Sequence, residues 1–161
     1  MTMNGIMKST ANRIMSLATP NNAAQVSTVL VLGSQREKFS QLKDEADKKG
    51  MVFVNTKANS DSQWGNNLVL TANQNPEKTI VAFVEGFANL NSATQTKLLD
   101  LVSNKRIVNT STGKATVISN KLIVLLSIDI KPEEWEDKSS LKTQKINSAL
   151  LNRSMVIAVK E

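Results

Sequence analysis

The stretch TIVAFVEGFANLNSATQTKLLDLVSN, residues 79–104, decides the architecture. Its first part, Thr79 to Val84, is an unbroken β-branched and aliphatic run with one Phe, the composition of a strand covered on both faces. Glu85-Gly86 closes that run. The second part opens on Asn91-Ser92, side chains suited to cap a helix amino end, and carries Leu98, Leu99 and Val102 at helical spacing. A buried strand that runs through a loop into a helix with an apolar face is one unit of a parallel α/β sheet.

The same unit recurs on either side. Val29–Leu32 is a second apolar run, ended by Gly33 and followed by a charged helical pattern from Glu37 to Lys49 that stops at Gly50. Met51–Val54 is a third run. The polar passage ANSDSQWGNN then leads to a short helix around Leu68–Asn73, and Asn75-Pro76 breaks it. Downstream, Arg106–Asn109 and Ala115–Ile118 flank Thr110-Ser111-Thr112-Gly113-Lys114, the pattern of a β-hairpin. Leu122–Leu126 reads as the fourth core strand, Leu141–Leu151 as a helix and Met155–Val159 as the fifth strand. The expectation is an α/β three-layer sandwich: a mostly parallel five-stranded sheet with helices on both faces and a hairpin inserted before the fourth core strand. Ligand sites of such sheets lie at the carboxyl ends of the strands.

Residues 26–161 form this one domain, and 161 residues hold a single core. Residues 1–25 are rich in Asn, Ser, Thr and Ala, with Ile6, Met7, Ile14, Met15 and Leu17 spaced loosely along one face. They read as a helical or flexible segment ended by Thr19-Pro20: an arm docked on a neighbour, a capping helix or a mobile end.

Composition restricts the chemistry. The chain has no Cys and no His, which removes disulfides, thiolate nucleophiles, imidazole bases and the usual zinc ligands, and no metal site is expected. The net charge of +6 is spread along the chain and permits contact with nucleic acid or an acidic partner. Aromatics make up 4% with no Tyr, too few for binding single strands by stacking. No apolar run approaches the roughly 20 residues of a membrane span, and the first residues lack a signal-peptide core, so a soluble cytoplasmic protein without a membrane partner is expected. The acidic residues around Trp135 (Glu133, Glu134, Glu136 and Asp137) read as a solvated turn.

The order of parts resembles the α/β core of the AAA+ ATPases, a branch of the P-loop NTPase fold with a hairpin before the fourth core strand. The resemblance covers Val26 to Glu161. In that frame Glu85, Gly86, Phe87, Ala88, Asn89 and Leu90 stand where a typical member has Asp-Glu, an apolar residue, two polar residues and Leu, and Gln95 precedes Leu98-Leu99 at the familiar spacing. The resemblance implies a nucleotide site made by a glycine-led loop after the first strand and two carboxylates after the third. Against the pattern G-x-x-x-x-G-K-[ST], Gly33 and Ser40 fall in place, but Lys38 occupies the second glycine's position and Phe39 the lysine's. A rescue of the cation would fall to Lys38, one residue early and beside Glu37. After the third strand Glu85 stands at the metal-linked position, while Gly86 offers no side chain to polarise a water. Shifting the register by one makes Glu85 the water-activating acid and Val84 the metal-site residue, at the expense of Leu90, Gln95 and Leu98.

The resemblance therefore implies a vestigial nucleotide site at Gly33, Lys38, Ser40 and Glu85, with no catalytic residue assigned and ATP with magnesium a doubtful cofactor. Either Ser127 or Asp129 corresponds to the polar sensor of the fourth strand. Arg153 aligns with an Arg that often faces a neighbouring subunit, and the helical lid that follows in the family is not expected. The reading is a pseudo-ATPase: a binding, adaptor or structural subunit that pairs with a protein partner or with itself. Two alternatives stand beside it, a nucleic-acid-binding module using Lys105, Arg106, Lys114 and Lys121 of the hairpin, and a weak ATP-binding or ATPase protein.

Overall fold

A computed structural model describes residues 12–16, 19, 26–32, 35–56, 66–85, 92–108, 113–128 and 148–158. The elements run β1 (Val26–Leu32), α1 (Gln35–Lys48), β2 (Val52–Thr56), α2 (Asn66–Gln74), β3 (Ile80–Val84), α3 (Ser92–Asn104), β4 (Arg106–Val108), β5 (Ala115–Val117), β6 (Leu122–Ile128), α4 (Ser148–Arg153) and β7 (Met155–Ala158). Five strands form one parallel sheet in the order β2-β3-β6-β1-β7, and β4 pairs antiparallel with β5 as a separate hairpin ahead of β6. The expected α/β sandwich, five parallel core strands and hairpin insertion are all present. Of the helix expected over Leu141–Leu151, residues 141–147 lie outside the described residues.

Strand order dictates where the helices go. The chain leaves β1 past β6 and β3 to the far edge at β2, and then every later connection steps back the other way. Right-handed crossovers therefore place α1 on one face and α2, α3 and α4 on the other. The two halves of the core agree: Leu42 and Ala46 of α1 pack with Val29, Val31, Val81, Phe83, Ile123 and Leu125 on one side. On the other, Leu68, Ala72, Leu98, Leu101 and Leu150 pack with Leu30, Ala82, Val84, Val124 and Leu126. Every residue of β3 and β6 is buried, which explains their unbroken apolar runs.

One helix leaves much of the α1 face to be covered. Residues 12–16 are helical, and Ile14 and Met15 are completely buried in the α1-side cluster. The Asn12 amide donates to the Glu45 carboxylate of α1 (3.2 Å), fixing this segment beside that helix.

Helix ends follow local chemistry. Gly50 ends α1 with φ of 71°, its N–H donating to the Asp47 carbonyl and that of Met51 to Ala46, a Schellman ending only a glycine enters without strain. At the end of α3 the left-handed position falls to Lys105, φ 55°, whose N–H donates to the Leu101 carbonyl. A lysine there costs backbone energy, which its buried side chain helps to offset: the ammonium donates to the Asn120 carbonyl. Asn120 in turn donates both amide protons, to the carbonyls of Asn75 and Lys78, each at 2.9 Å. The base of the hairpin is thus fastened to the turn that precedes β3.

Candidate functional site

The neighbouring strands β1 and β6 send their chains in opposite directions, so the crevice of this sheet opens at their carboxyl ends. Side-chain alternation sorts what lies there. In β6, Ile123 and Leu125 belong to the α1-side cluster, so Ser127 points to that face too. Phe53 and Phe83 lie on the same side, which places Asn55 and Glu85 there by the same period of two. These three polar residues lie near the ends of adjacent strands: Val84 is level with Leu126, so Glu85 falls beside Ser127, while Asn55 is level with Phe83, two residues earlier in the register.

The Asn55 amide donates to Glu85 Oε1 at 3.0 Å. Its own carbonyl oxygen, Oδ1, is buried without a hydrogen-bond partner, as is Oγ of the fully buried Ser127. Leaving such a group unsatisfied costs about 1–3 kcal/mol. Among the described residues no cation pairs with Glu85. Beneath this polar row lies an aromatic floor. Phe39 of α1 meets Phe53 edge-on at 5.3 Å between centroids and Phe83 at 5.5 Å, and Phe53 and Phe83 lie 5.6 Å apart.

The sequence-derived site residues separate into distinct places. Gly33, Gly86 and Asp129 lie outside the described residues, as does the side chain of Lys38. Lys38, Phe39 and Ser40 all stand within α1, which is already helical from Gln35, rather than in a loop or at its mouth. Ser40, expected at the magnesium position, is an exposed helical residue, and Phe39, at the lysine position, faces the sheet. Helical geometry sets neighbours about 100° apart, so the two cannot share one direction. Glu85 holds its expected place at the end of β3. Gln95 and Leu98 are buried in α3. Arg153 is exposed at the end of α4.

The hairpin cations also divide by their surroundings. Lys105 is buried, with its ammonium on the Asn120 carbonyl and its pKa held below the usual lysine value by burial, so its amine is turned into the protein rather than toward a phosphate. Arg106 is committed to Asp100 at 2.8 Å, and this bond, after one from Asn104, holds the Asp100 carboxyl below its ordinary range. Lys114 is exposed and Lys121 half-buried. The groove between α3 and β4, about 440 Å³, is bordered by Lys97, Asp100 and Arg106.

Asn55 was not legible as a site residue. The only signal is a polar residue closing Phe53-Val54-Asn55, where a buried strand had no other reason to stop being apolar.

No protein-family model matches this chain, and no curated protein matches it. Solved structures do. NtrX from Brucella abortus in complex with ATP superposes over 99% of the chain with a TM-score of 0.57 and 12% identity. Hsp104 of S. cerevisiae in its ADP complex superposes over 96% with a TM-score of 0.58 and 15% identity. A second NtrX structure gives 0.57 and 11% over 99%. The chain spans about a third of the length of these structures, 36%, 32% and 37% respectively. These neighbours are P-loop NTPases of the AAA+ type, and at such low identity the likeness shows the fold alone: an α/β fold resembling that of these P-loop NTPases. Among the described residues no helix is long and apolar enough to cross a membrane.

Proposed function

We propose that this chain is a non-hydrolysing AAA+-like domain that acts by binding, as an adaptor or structural subunit of a larger assembly or of a self-assembly. One observation carries the reading. The segment that a phosphate-cradling loop would occupy is helical from Gln35, and the residue at the lysine position, Phe39, packs into an aromatic cluster with Phe53 and Phe83. A P-loop works by turning successive backbone N–H groups and a lysine amine onto phosphate oxygens, and here the lysine's position is taken by a Phe whose ring packs on the sheet. The end of β3 adds to this, since Glu85 is engaged by Asn55 and is followed by Gly86, which has no acid to offer. NtrX and Hsp104 were solved with ATP and ADP, so the fold accommodates nucleotides in those proteins; the argument here rests on this chain's own residues.

The nucleic-acid alternative is weakened by Lys105, which is buried on the Asn120 carbonyl, and by Arg106, which is exposed but paired with Asp100. The decisive measurement is titration with a fluorescent ATP analogue, with and without magnesium, beside a phosphate-release assay. The expected result is no saturable binding at millimolar nucleotide and no release above buffer. Magnesium-dependent turnover that Glu85→Gln abolishes would overturn the proposal. Light scattering across a concentration series tests the assembly role: a chain that stays monomeric and captures no partner counts against it.

A further inference from the structure

The row Asn55–Glu85–Ser127 is unusual in what it lacks. Two polar atoms are buried and unsatisfied, Asn55 Oδ1 and Ser127 Oγ, and both belong to residues flanking one carboxylate with no cation on it among the described residues. An amide oxygen only accepts, a carboxylate only accepts, and a hydroxyl can do so. The row is therefore rich in acceptors and carries one negative charge. A phosphate, itself only an acceptor, finds among these three side chains only the Ser127 hydroxyl and the second N–H of the Asn55 amide to bond.

We propose that this row is a binding site for a guanidinium group, a ligand chemistry that rests on the reading of the domain as one that does not hold a triphosphate. Geometry selects this cation over a simple amine. Neighbouring strands lie about 4.8 Å apart, and Asn55 is level with Phe83 and so with Leu125, two residues short of Ser127, so Asn55 and Ser127 are separated by about 12 Å at the backbone. The Asn55 side chain leans toward the middle strand, as its bond to Glu85 shows, and shortens that gap. A single ammonium with charge-assisted bonds of about 2.8 Å bridges acceptors no more than about 5.6 Å apart. A guanidinium presents five N–H groups in a planar fork and reaches roughly 8 Å between acceptors. It can meet Glu85 Oε2 with one edge while its ends take Asn55 Oδ1 and Ser127 Oγ. Below, the half-buried Phe53 offers an aromatic surface of the kind on which a guanidinium rests. The amino end of α1 opens on the same face and favours anions, so the test must set the two charges against each other.

The experiment uses the whole chain, labelled with nitrogen-15, and follows amide resonances during titration with agmatine, n-butylamine and magnesium-ATP. Agmatine is expected to give saturable shifts at Asn55, Glu85 and Ser127 at millimolar concentration or below, with n-butylamine at least tenfold weaker. Glu85→Gln, which keeps an oxygen for the Asn55 amide, should weaken agmatine at least tenfold. Ser127→Ala should weaken it several-fold without lowering the melting temperature, because it deletes an unsatisfied hydroxyl. A Gly-Arg-Gly amide identifies the source: tighter than agmatine means an arginine of a protein partner, weaker means a free guanidino compound. Shifts scattered over the surface, equal response to n-butylamine, or full affinity in Glu85→Gln would each overturn the site. Binding and turnover of magnesium-ATP would overturn the non-hydrolysing reading instead, and agmatine failing alone removes only this inference.

Discussion

Replacing Phe39 with Ala gives the sharpest test of how this domain departs from a nucleotide-hydrolysing one. Truncating a fully buried Phe costs about 3–5 kcal/mol. Phe39 is half-buried, but it makes two edge-on ring contacts, each contributing about 0.5–1.5 kcal/mol beyond its area. The expected loss is about 2–3 kcal/mol, a fall of roughly 5–10 °C in melting temperature for a chain of this size. Urea denaturation measures it, with Ser40→Ala, one residue on and exposed, as a control that stays within about 0.5 kcal/mol. A double-mutant cycle with Phe53→Ala isolates the ring pair and should return a coupling of about 0.5–1.5 kcal/mol. A coupling near zero, or a loss for Phe39→Ala below about 0.5 kcal/mol, would refute the reasoning. The position would then be free to face the crevice.

Three further outcomes follow from other parts of the fold. Met15→Ala should cost about 2–5 kcal/mol by chemical denaturation, because its side chain is completely buried under the α1 face. Lys105 has a folded pKa lowered by burial from 10.5, so the folded state resists protonation and its penalty is fully present at neutral pH. Wild-type stability should rise as pH climbs toward about 10.5, and Lys105→Met should flatten that rise in urea titrations at pH 7, 9 and 10. Asp100 is the opposite case: its carboxyl is held below 3.8 by bonds from Asn104 and Arg106, so its contribution is present above that value and fades as pH falls through the lower folded value. Melting temperatures between pH 2 and 5 should depend slightly less on pH in Asp100→Asn, the effect being small because Arg106 is solvent-exposed.

Some of the site could be read from the chain and some could not, and the difference is physical. Glu85 was legible because it ends an apolar run, and in a parallel sheet the first polar residue after a buried strand sits at the ligand edge. Phe39 was legible only as a mismatch to a pattern. Its packing against Phe53 and Phe83 depends on residues 14 and 44 positions away, which meet only when α1 lies across β2 and β3. That Ser40 is an exposed residue of α1 follows from the helix beginning at Gln35, which the pattern does not specify. Lys105 looked like a free cation because charge is visible in a sequence and burial at a helix end is not, and the pairing of Arg106 with Asp100 is equally invisible there.

The sequence by itself determined the five core strands, the alternation with helices and the hairpin, since each is written in the local period of apolar residues and in nearby caps and turns. Tertiary structure alone decided the strand order β2-β3-β6-β1-β7, and with it which polar ends become neighbours. Asn55, Glu85 and Ser127 are 30 and 42 residues apart along the chain and meet because parallel pairing aligns strand ends whatever the length of the connections between them. Local pattern carries no information on that register, so a row of unsatisfied acceptors on an aromatic floor exists only in the folded sheet.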